Sequence, residues 1–272
     1  MAPPLDHTVP YPRISVVIRC HNYGRFLGEA LASVQAQTLR VDEVVVVNDG
    51  STDDTGDVLD AFRQQRPDLV VVVRHPARGP AMSFNDGVTR STGDLVVALD
   101  ADDRFSPDYV ERLAAALRDP DVHFAYGGES VFGTGQFRHS ARPFDRDELM
   151  VENYVNVSSM FRRWIFEATG GFRPDFDGIG LEDWEFWVHA VELGAVGCAV
   201  EDGWLEYRRH AEGSRNTIRR RRALRAHLLL WRLHPRTVRI RHVMRWMVRS
   251  SYRNVRQAVR RGSPATDSVG VA

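Results

Sequence analysis

The chain has 272 residues, 43% of them hydrophobic, enough for one large domain with a sizeable core and at most an appendage. Its formal net charge of zero conceals a split: all 36 basic residues are Arg, and Tyr207 to Gly262 carries 18 of them against one acid, Glu212, for +17, while the chain ahead of it stands at −16. Two distant cysteines, Cys20 and Cys198, argue against a disulfide framework or a cysteine metal site and predict a reducing, cytoplasmic compartment.

Residues 1–11 are rich in proline and carry no apolar core of signal-peptide length, so a flexible start is expected. No apolar run is long enough to span a bilayer, so the expectation is a soluble chain or one peripheral to the inner face of a membrane. Ile14 to Ile18 is a β-branched run that predicts a strand buried on both faces. The polar loop Arg19-Cys20-His21-Asn22-Tyr23-Gly24 follows it. A helix is predicted from about Phe26 to Ala36, with Leu27, Ala30, Leu31 and Val34 on one face. Val44 to Val47 is a second buried strand. It ends in Asn48-Asp49-Gly50-Ser51-Thr52-Asp53-Asp54-Thr55, a turn that becomes a helix cap. A helix then runs to about Gln65. Leu69 to Val73 is a third strand, and another helix starts near Pro80.

A fourth strand, Leu95 to Leu99, ends in Asp100-Ala101-Asp102-Asp103. Several carboxylates at the end of a buried strand need water, donors or a cation, and hard divalent ions prefer oxygen ligands of this kind. The structural alternative is an acidic turn before a helix opened by Ser106-Pro107, with Asp108 in its first turn. The alternation predicts a parallel α/β sheet, whose ligands bind at the carboxyl ends of the strands. No G-x-G-x-x-G follows the first strand and no G-x-x-x-x-G-K-[ST] occurs, so nucleotide binding would rest on carboxylates and a metal.

Gly127 to Arg142, with His139, reads as a solvated polar stretch. Glu182-Asp183 opens an amphipathic helix, where acids also favour the dipole, and Trp184, Phe186 and Trp187 read as core. Thr217 to Leu233 predicts a helix that Pro235 ends. A second helix is expected from about Thr237 to Val259. Its stripe of Ile240, Val243, Met244, Met247, Val248, Tyr252, Val255 and Val259 is flanked by Arg. That stripe either packs on the acidic body or meets an anionic surface such as a membrane. Residues 263–272 are expected to be disordered.

These stretches together resemble the family-2 glycosyltransferases of GT-A fold. The matching segments are Ser15-Val16-Val17-Ile18 with Asn22; Val46-Val47-Asn48-Asp49-Gly50-Ser51-Thr52-Asp53; Gly79 followed by Asn85; and Leu99-Asp100-Ala101-Asp102-Asp103. Ser158-Ser159-Met160-Phe161-Arg162-Arg163, Gly170-Gly171-Phe172 and Glu182-Asp183-Trp184-Glu185-Phe186-Trp187 match further on. Each is weak alone; their order and spacing, over about residues 13–210, carry the likeness. The resemblance implies a Rossmann-like, mostly parallel sheet flanked by helices. Residues 12–206 would form the GT-A domain, divided into a nucleotide-sugar half (12–105) and an acceptor half (106–206), with a basic helical tail at 207–262.

The resemblance also implies roles. Asp49 would receive a uracil or thymine base beside His21, with Asn22 in the same loop. Arg78 would lie near the diphosphate and Asp100 at the ribose. Asp102 would ligate Mg²⁺ or Mn²⁺, with His210 closing on the metal or the diphosphate. Asp183 would be the general base, with Glu182 as the alternative. Asn48 and Arg19 depart from the common pattern; Arg19 either meets the diphosphate or pairs with an acid.

The expected function is therefore metal-dependent, inverting transfer of a hexosyl or related sugar from a UDP- or dTDP-type donor. The acceptor hydroxyl or amine would belong to a small molecule, a glycan or a lipid-linked sugar. A nucleotidyltransferase is the rival enzyme, but it usually needs a glycine-rich phosphate loop. A non-catalytic anionic-surface module would explain only the tail. Nucleic acid is not an expected partner, since the tail carries no recognised motif; oligomerisation stays open.

Overall fold

The computed structural model describes residues 12–66, 70–210 and 220–250. The flexible start and disordered end expected from the sequence lie outside the described residues, as do 211–219 and 251–262 of the tail and Leu69 of the third strand.

The first hundred residues follow the predicted alternation. The elements are β1 (Ile14–Cys20), α1 (Gly24–Gln35), β2 (Glu43–Asp49), α2 (Thr55–Gln65), β3 (Val70–His75), α3 (Pro80–Arg90) and β4 (Leu95–Asp100). β1 pairs in parallel with β2 and β4, and β2 with β3. All seven residues of β2 are buried, as a strand covered on both faces requires. Successive side chains divide between two cores. Val17, Val45, Val47, Val96 and Ala98 face the layer that contains Phe84 of α3. Val16, Ile18, Val44, Val46, Val97 and Leu99 face the layer that contains Leu27 and Leu31 of α1. Each such burial contributes roughly 1.5–3 kcal/mol. α3 lies close against the sheet because Gly87 carries no side chain: a Cβ there would run into Val17.

The second half supplies the antiparallel strands of the mostly parallel sheet. It comprises β5 (Arg104–Phe105), α4 (Tyr109–Ala116), β6 (Phe124–Gly133), β7 (Phe137–His139), α5 (Arg146–Leu149), β8 (Met160–Arg162), α6 (Arg163–Thr169), α7 (Glu182–Glu192) and β9 (Gly197–Arg209). β8 is antiparallel to both β4 and β6, β5 is antiparallel to β9, and β6 pairs in parallel with β9. The strand order is β3-β2-β1-β4-β8-β6-β9-β5, with β7 beside β6. The predicted solvated stretch is therefore mostly strand, although His139 is exposed. Trp184, Phe186 and Trp187 of α7 are core, packed with Phe161, Phe172 and Phe84.

α8 (Arg220–Leu233) and the residues just after it pack on α7, and a further helix, α9 (240–250), packs on α8 and reaches α5. Ala226, Leu230, Val238, Val243 and Trp246 are buried. His227 sits between Trp184 and Trp246, with ring centroids 4.7 and 4.3 Å away. Arg249 pairs with Glu148 at 2.5 Å, and Arg245 pairs with the same carboxylate. The predicted apolar stripe is thus divided. Val243 turns inward with Trp246, while Ile240, Met244, Met247 and Val248 are exposed. The indole of Trp246 against His227 sets that rotation. None of the described helices is long and apolar enough to cross a membrane.

Candidate active site

A cavity of about 550 Å³ opens at the carboxyl ends of β1, β2 and β4 and reaches the start of α7, where parallel sheets place their ligands. Arg19, at the end of β1, forms its floor. The guanidinium donates to Asp100 Oδ1 at 2.6 and 3.0 Å and to Glu182 Oε1 at 3.3 Å. Burial opposes its charge, but Asp100 and Glu182 more than compensate and raise its pKa. The basic residue that sequence left between two roles therefore pairs with acids.

The acidic loop after β4 is fastened by β9. His210 Nε2 lies 2.9 Å from Asp102 Oδ2, and the His210 ring stacks on Tyr23 at 5.9 Å. Asp103 Oδ1 accepts from the Arg208 backbone N–H at 2.7 Å. The Arg208 side chain goes to the Asp102 carbonyl and to Glu29 instead of to the acidic side chains. Burial, then Asp100, pushes the Asp102 carboxyl up, opposed by His210. Burial, Asp102 and Asp100 push Asp103 well up. Arg19 thus serves Asp100, while no guanidinium among the described residues reaches the Asp102 and Asp103 carboxylates.

Asp49 reaches the cavity, but its carboxylate already accepts from the backbone of the next turn: Oδ1 from Arg78 N–H at 2.7 Å and Oδ2 from Gly79 N–H at 3.0 Å. Gly79 has φ +91°, and a Cβ there would strike the Asp177 carboxylate, so that turn requires glycine. His21 Nδ1–H donates to the Asp49 carbonyl at 2.6 Å, which holds the ring at the cavity rim. Asn22 has φ +57° and joins the first two loops: its Oδ1 accepts from Thr52 N–H at 2.7 Å and its N–H donates to Ser51 Oγ at 3.0 Å.

Asp183 stands across the cavity at the start of α7. Burial, then the Glu182 carboxylate, push its pKa up to about 7, against a hydrogen bond from Asn153. Glu182 is buried; one oxygen accepts from Arg19 and the other, Oε2, has no partner among the described residues. The wall beside Asp183 holds Glu129, raised by burial, with Asn153 and Asn156, whose side-chain oxygens are buried without a partner.

Of the candidate residues, Arg19, His21, Asp49, Asp100, Asp102, Glu182, Asp183 and His210 line one cavity. Arg78 does not. Its guanidinium pairs with Asp86 of α3 at 2.8 Å and lines a separate small cavity with Val73 and Arg90. Asn22 supports the rim without lining it. Sequence reasoning singled out neither Glu129, Asn153 nor Asn156. They lie in a stretch without periodicity, and only β6 and the segment before β8 bring them to the wall.

The pattern of glycosyl transferase family 2 matches residues 15–174. The chain belongs to that family. It is 39% identical over 110 residues to an uncharacterised glycosyltransferase, alr2836, of Nostoc, covering 40% of this chain and 34% of the relative. It is 27% identical over 173 residues to glycosyltransferase GlyG of Streptococcus pneumoniae, covering 62% and 57%. The chain thus spans about a third and just over half the length of these curated relatives. Two solved structures share the fold. The mannosyltransferase PcManGT of Pyrobaculum calidifontis, in complex with GDP-Man and Mn²⁺, aligns with TM-score 0.58 and 24% identity over 76% of this chain and 59% of that one. Staphylococcus aureus TarS in complex with UDP-GlcNAc aligns with TM-score 0.63 and 19% identity, over 74% and 60%. The curled, mostly parallel sheet with its antiparallel second half is the GT-A-like fold of this family.

Proposed function

We propose that the chain transfers a sugar from a nucleoside-diphosphate donor to an acceptor hydroxyl or amine, with a divalent cation and with inversion at the anomeric carbon. The observation that carries this reading is one cavity with two acidic sides: the Asp100–Asp102 cluster on one, and Asp183, raised to about 7, on the other. A general base works best with a pKa near the working pH. Asp183 would take the proton of the incoming acceptor. Glu182 is the weaker alternative, since Arg19 holds one of its oxygens. Glu182 and Arg19 would position Asp183 and hold the cavity floor. Direct displacement needs one base at the acceptor, the role that Asp183 would fill.

The donor side fits a hard cation: Asp102 and Asp103 are crowded against Asp100, raised by burial and mutual repulsion, and no guanidinium pairs with their carboxylates among the described residues. Asp102 would hold Mg²⁺ or Mn²⁺, with His210 beside it, and the ion would offset the charge of the departing diphosphate. Asp49, held by the 78–79 backbone at the cavity, would accept from the N3–H of a uracil or thymine base, with His21 against the ring. Asp100, tethered to Arg19, would contact the ribose. Asn153 and Asn156 would offer their unpartnered oxygens to hydroxyls of the transferred sugar or the acceptor. Arg78, committed to Asp86, has no part in this reading.

The tail would bring the chain to an anionic membrane carrying the acceptor, from the cytoplasmic side that two free thiols, Cys20 and Cys198, favour. Residues 220–250 contain ten Arg and no acid. Leu228, Trp231, Ile240, Met244, Met247 and Val248 are exposed there.

The test incubates the chain with a panel of nucleotide-sugars and Mn²⁺, and reads nucleotide release and the anomeric configuration of the product by NMR. Donor-dependent release with an inverted product is expected. Retained configuration, or full activity in EDTA, overturns the mechanism.

A further inference from the structure

Farther along α7, outside the cavity, lies a second cluster of acids and imidazoles, which the transfer reaction does not use. Glu185 and His189 lie one turn apart on one face of the helix, and His234 arrives just after α8. His234 Nε2 is 2.9 Å from Glu185 Oε1, and His189 Nδ1 is 4.0 Å from the same oxygen. The three donor atoms lie within 4.8 Å of one another. Glu185 is fully buried, and its second oxygen, Oε2, has no hydrogen-bond partner among the described residues. His234 Nδ1 is 2.5 Å from Glu192 Oε2, and Glu192 Oε1 accepts from Thr237 Oγ1 at 2.9 Å.

We propose that Glu185, His189 and His234 form a Zn²⁺ site that clips the tail onto α7. A buried carboxylate is costly unless both oxygens are satisfied. Here one imidazole, His234, reaches it, and that ring is shared with Glu192. His189 stands outside hydrogen-bond distance of Glu185, which leaves room for an ion between its Nδ1 and the carboxylate. Two carboxylates facing one imidazole leave excess negative charge, which a divalent ion offsets.

The ligand set selects the ion. Two imidazoles and one carboxylate suit Zn²⁺, whereas Mg²⁺ and Ca²⁺ favour oxygen alone. Ligand bonds of about 2.0–2.1 Å set neighbouring donor atoms of a tetrahedral site about 3.3 Å apart, so the observed 2.9 and 4.0 Å bracket that spacing. Glu192 supplies the outer carboxylate that orients a metal-bound imidazole: it accepts from Nδ1–H and turns the Nε2 lone pair inward. The half-exposed side of His189 leaves the fourth position to water. Since His234 directly follows α8, an ion held there fastens the tail to the helix whose first turn carries Asp183.

The experiment uses the tag-free full chain carrying Asp102→Ala, so that the donor side adds no ion. The protein is stripped with EDTA and titrated with Zn²⁺, with stoichiometry read by elemental analysis, affinity by calorimetry and Tm by melting. One Zn²⁺ per chain and a rise in Tm are expected. Co²⁺ in its place should give the visible absorption of a four-coordinate site. Adding His189→Ala, which removes no existing hydrogen bond to Glu185, should leave the metal-free Tm almost unchanged, weaken Zn²⁺ at least about 100-fold and abolish the Tm rise. Glu192→Gln should weaken it about 10–100-fold. Failure of the Asp102→Ala chain to bind stoichiometric Zn²⁺, or an affinity unchanged by His189→Ala, overturns the proposal and leaves the cluster a protonated bridge.

Discussion

The two walls of the cavity are built differently. The donor side comes from loops that directly continue buried strands: Arg19 ends its run on β1, Asp49 on β2 and Asp100 on β4, and each is placed by contiguous residues. The opposite wall is assembled from remote pieces: Glu129 from β6, Asn153 and Asn156 from the segment before β8, and Asp183 from α7. The donor wall satisfies its polar groups within the protein, as Arg19 with Asp100 and Asp49 with the 78–79 backbone show. The far wall leaves Asn153, Asn156 and Glu182 each with a buried, unpartnered oxygen. A wall whose side chains are held in place by the protein suits a component common to many reactions, and one with orphaned acceptors suits the component that varies.

If the walls divide the work in this way, the largest effect should come from the donor side. Asp102→Ala is expected to lower turnover by about 10³-fold or more and to remove the Mn²⁺ dependence of nucleotide binding, with the fold kept; nucleotide thermal shifts with and without Mn²⁺ measure this. Undiminished activity would remove the donor side from the chemistry.

Asp183→Asn should lower kcat about 10²–10⁴-fold while donor affinity changes little, because this carboxylate acts on the acceptor. Glu182→Gln should be milder. A dead Glu182→Gln with an active Asp183→Asn would move the base by one residue along α7.

The pH dependence sharpens the same contrast. Asp183 must be ionised to act, so kcat/KM should fall as pH drops through about 7. Its stability sign is opposite to that of a salt-bridged acid. The folded pKa, about 7, lies above the unfolded value of 3.8, so between them the native state holds the extra proton and stability declines as pH rises. Asp183→Asn should therefore raise Tm at pH 8 by a few degrees, on the order of 1 kcal/mol after solvent screening, and by less at pH 5. A Tm difference that grows toward acid would contradict the raised pKa.

The smallest expected effect lies farthest from the cavity. Removing the tail would expose Trp184 and the cluster around Glu185, so truncation confounds folding with surface binding. Met244→Asp with Val248→Asp avoids this, since the two side chains are 56% and 71% exposed. The pair should leave Tm within about 1–2 °C and abolish salt-sensitive cosedimentation with anionic vesicles. Retained binding would assign that step to Arg alone.

The parallel half of the fold and its site were legible because each signal is local. Runs such as Val44 to Val47 can hide only as a strand covered on both faces, and the acids that end such runs must emerge at one edge of the sheet. Asp49, Asp100 and Asp102 were found in that way, with family likeness supplying their roles. Arg78 points away from the cavity because a long side chain chooses its partner in three dimensions: Asp86, nearly two turns into α3, takes its guanidinium. The amphipathic stripe of α9 was legible as a pattern but not as an orientation, since Trp246 turns it against His227 and leaves Met244 and Val248 outward.

The amino-acid sequence by itself determined the strand and helix alternation of the first hundred residues, the acids at the strand ends and the basic character of the tail, because each follows from neighbours in the chain. Only the tertiary structure decided which acids are paired, which side chains are orphaned and which face of the tail is covered. Asp102 meets His210 across 108 positions and Glu185 meets His234 across 49. Neither pairing leaves a periodic trace, because burial and charge act on distance in space and not on separation along the chain.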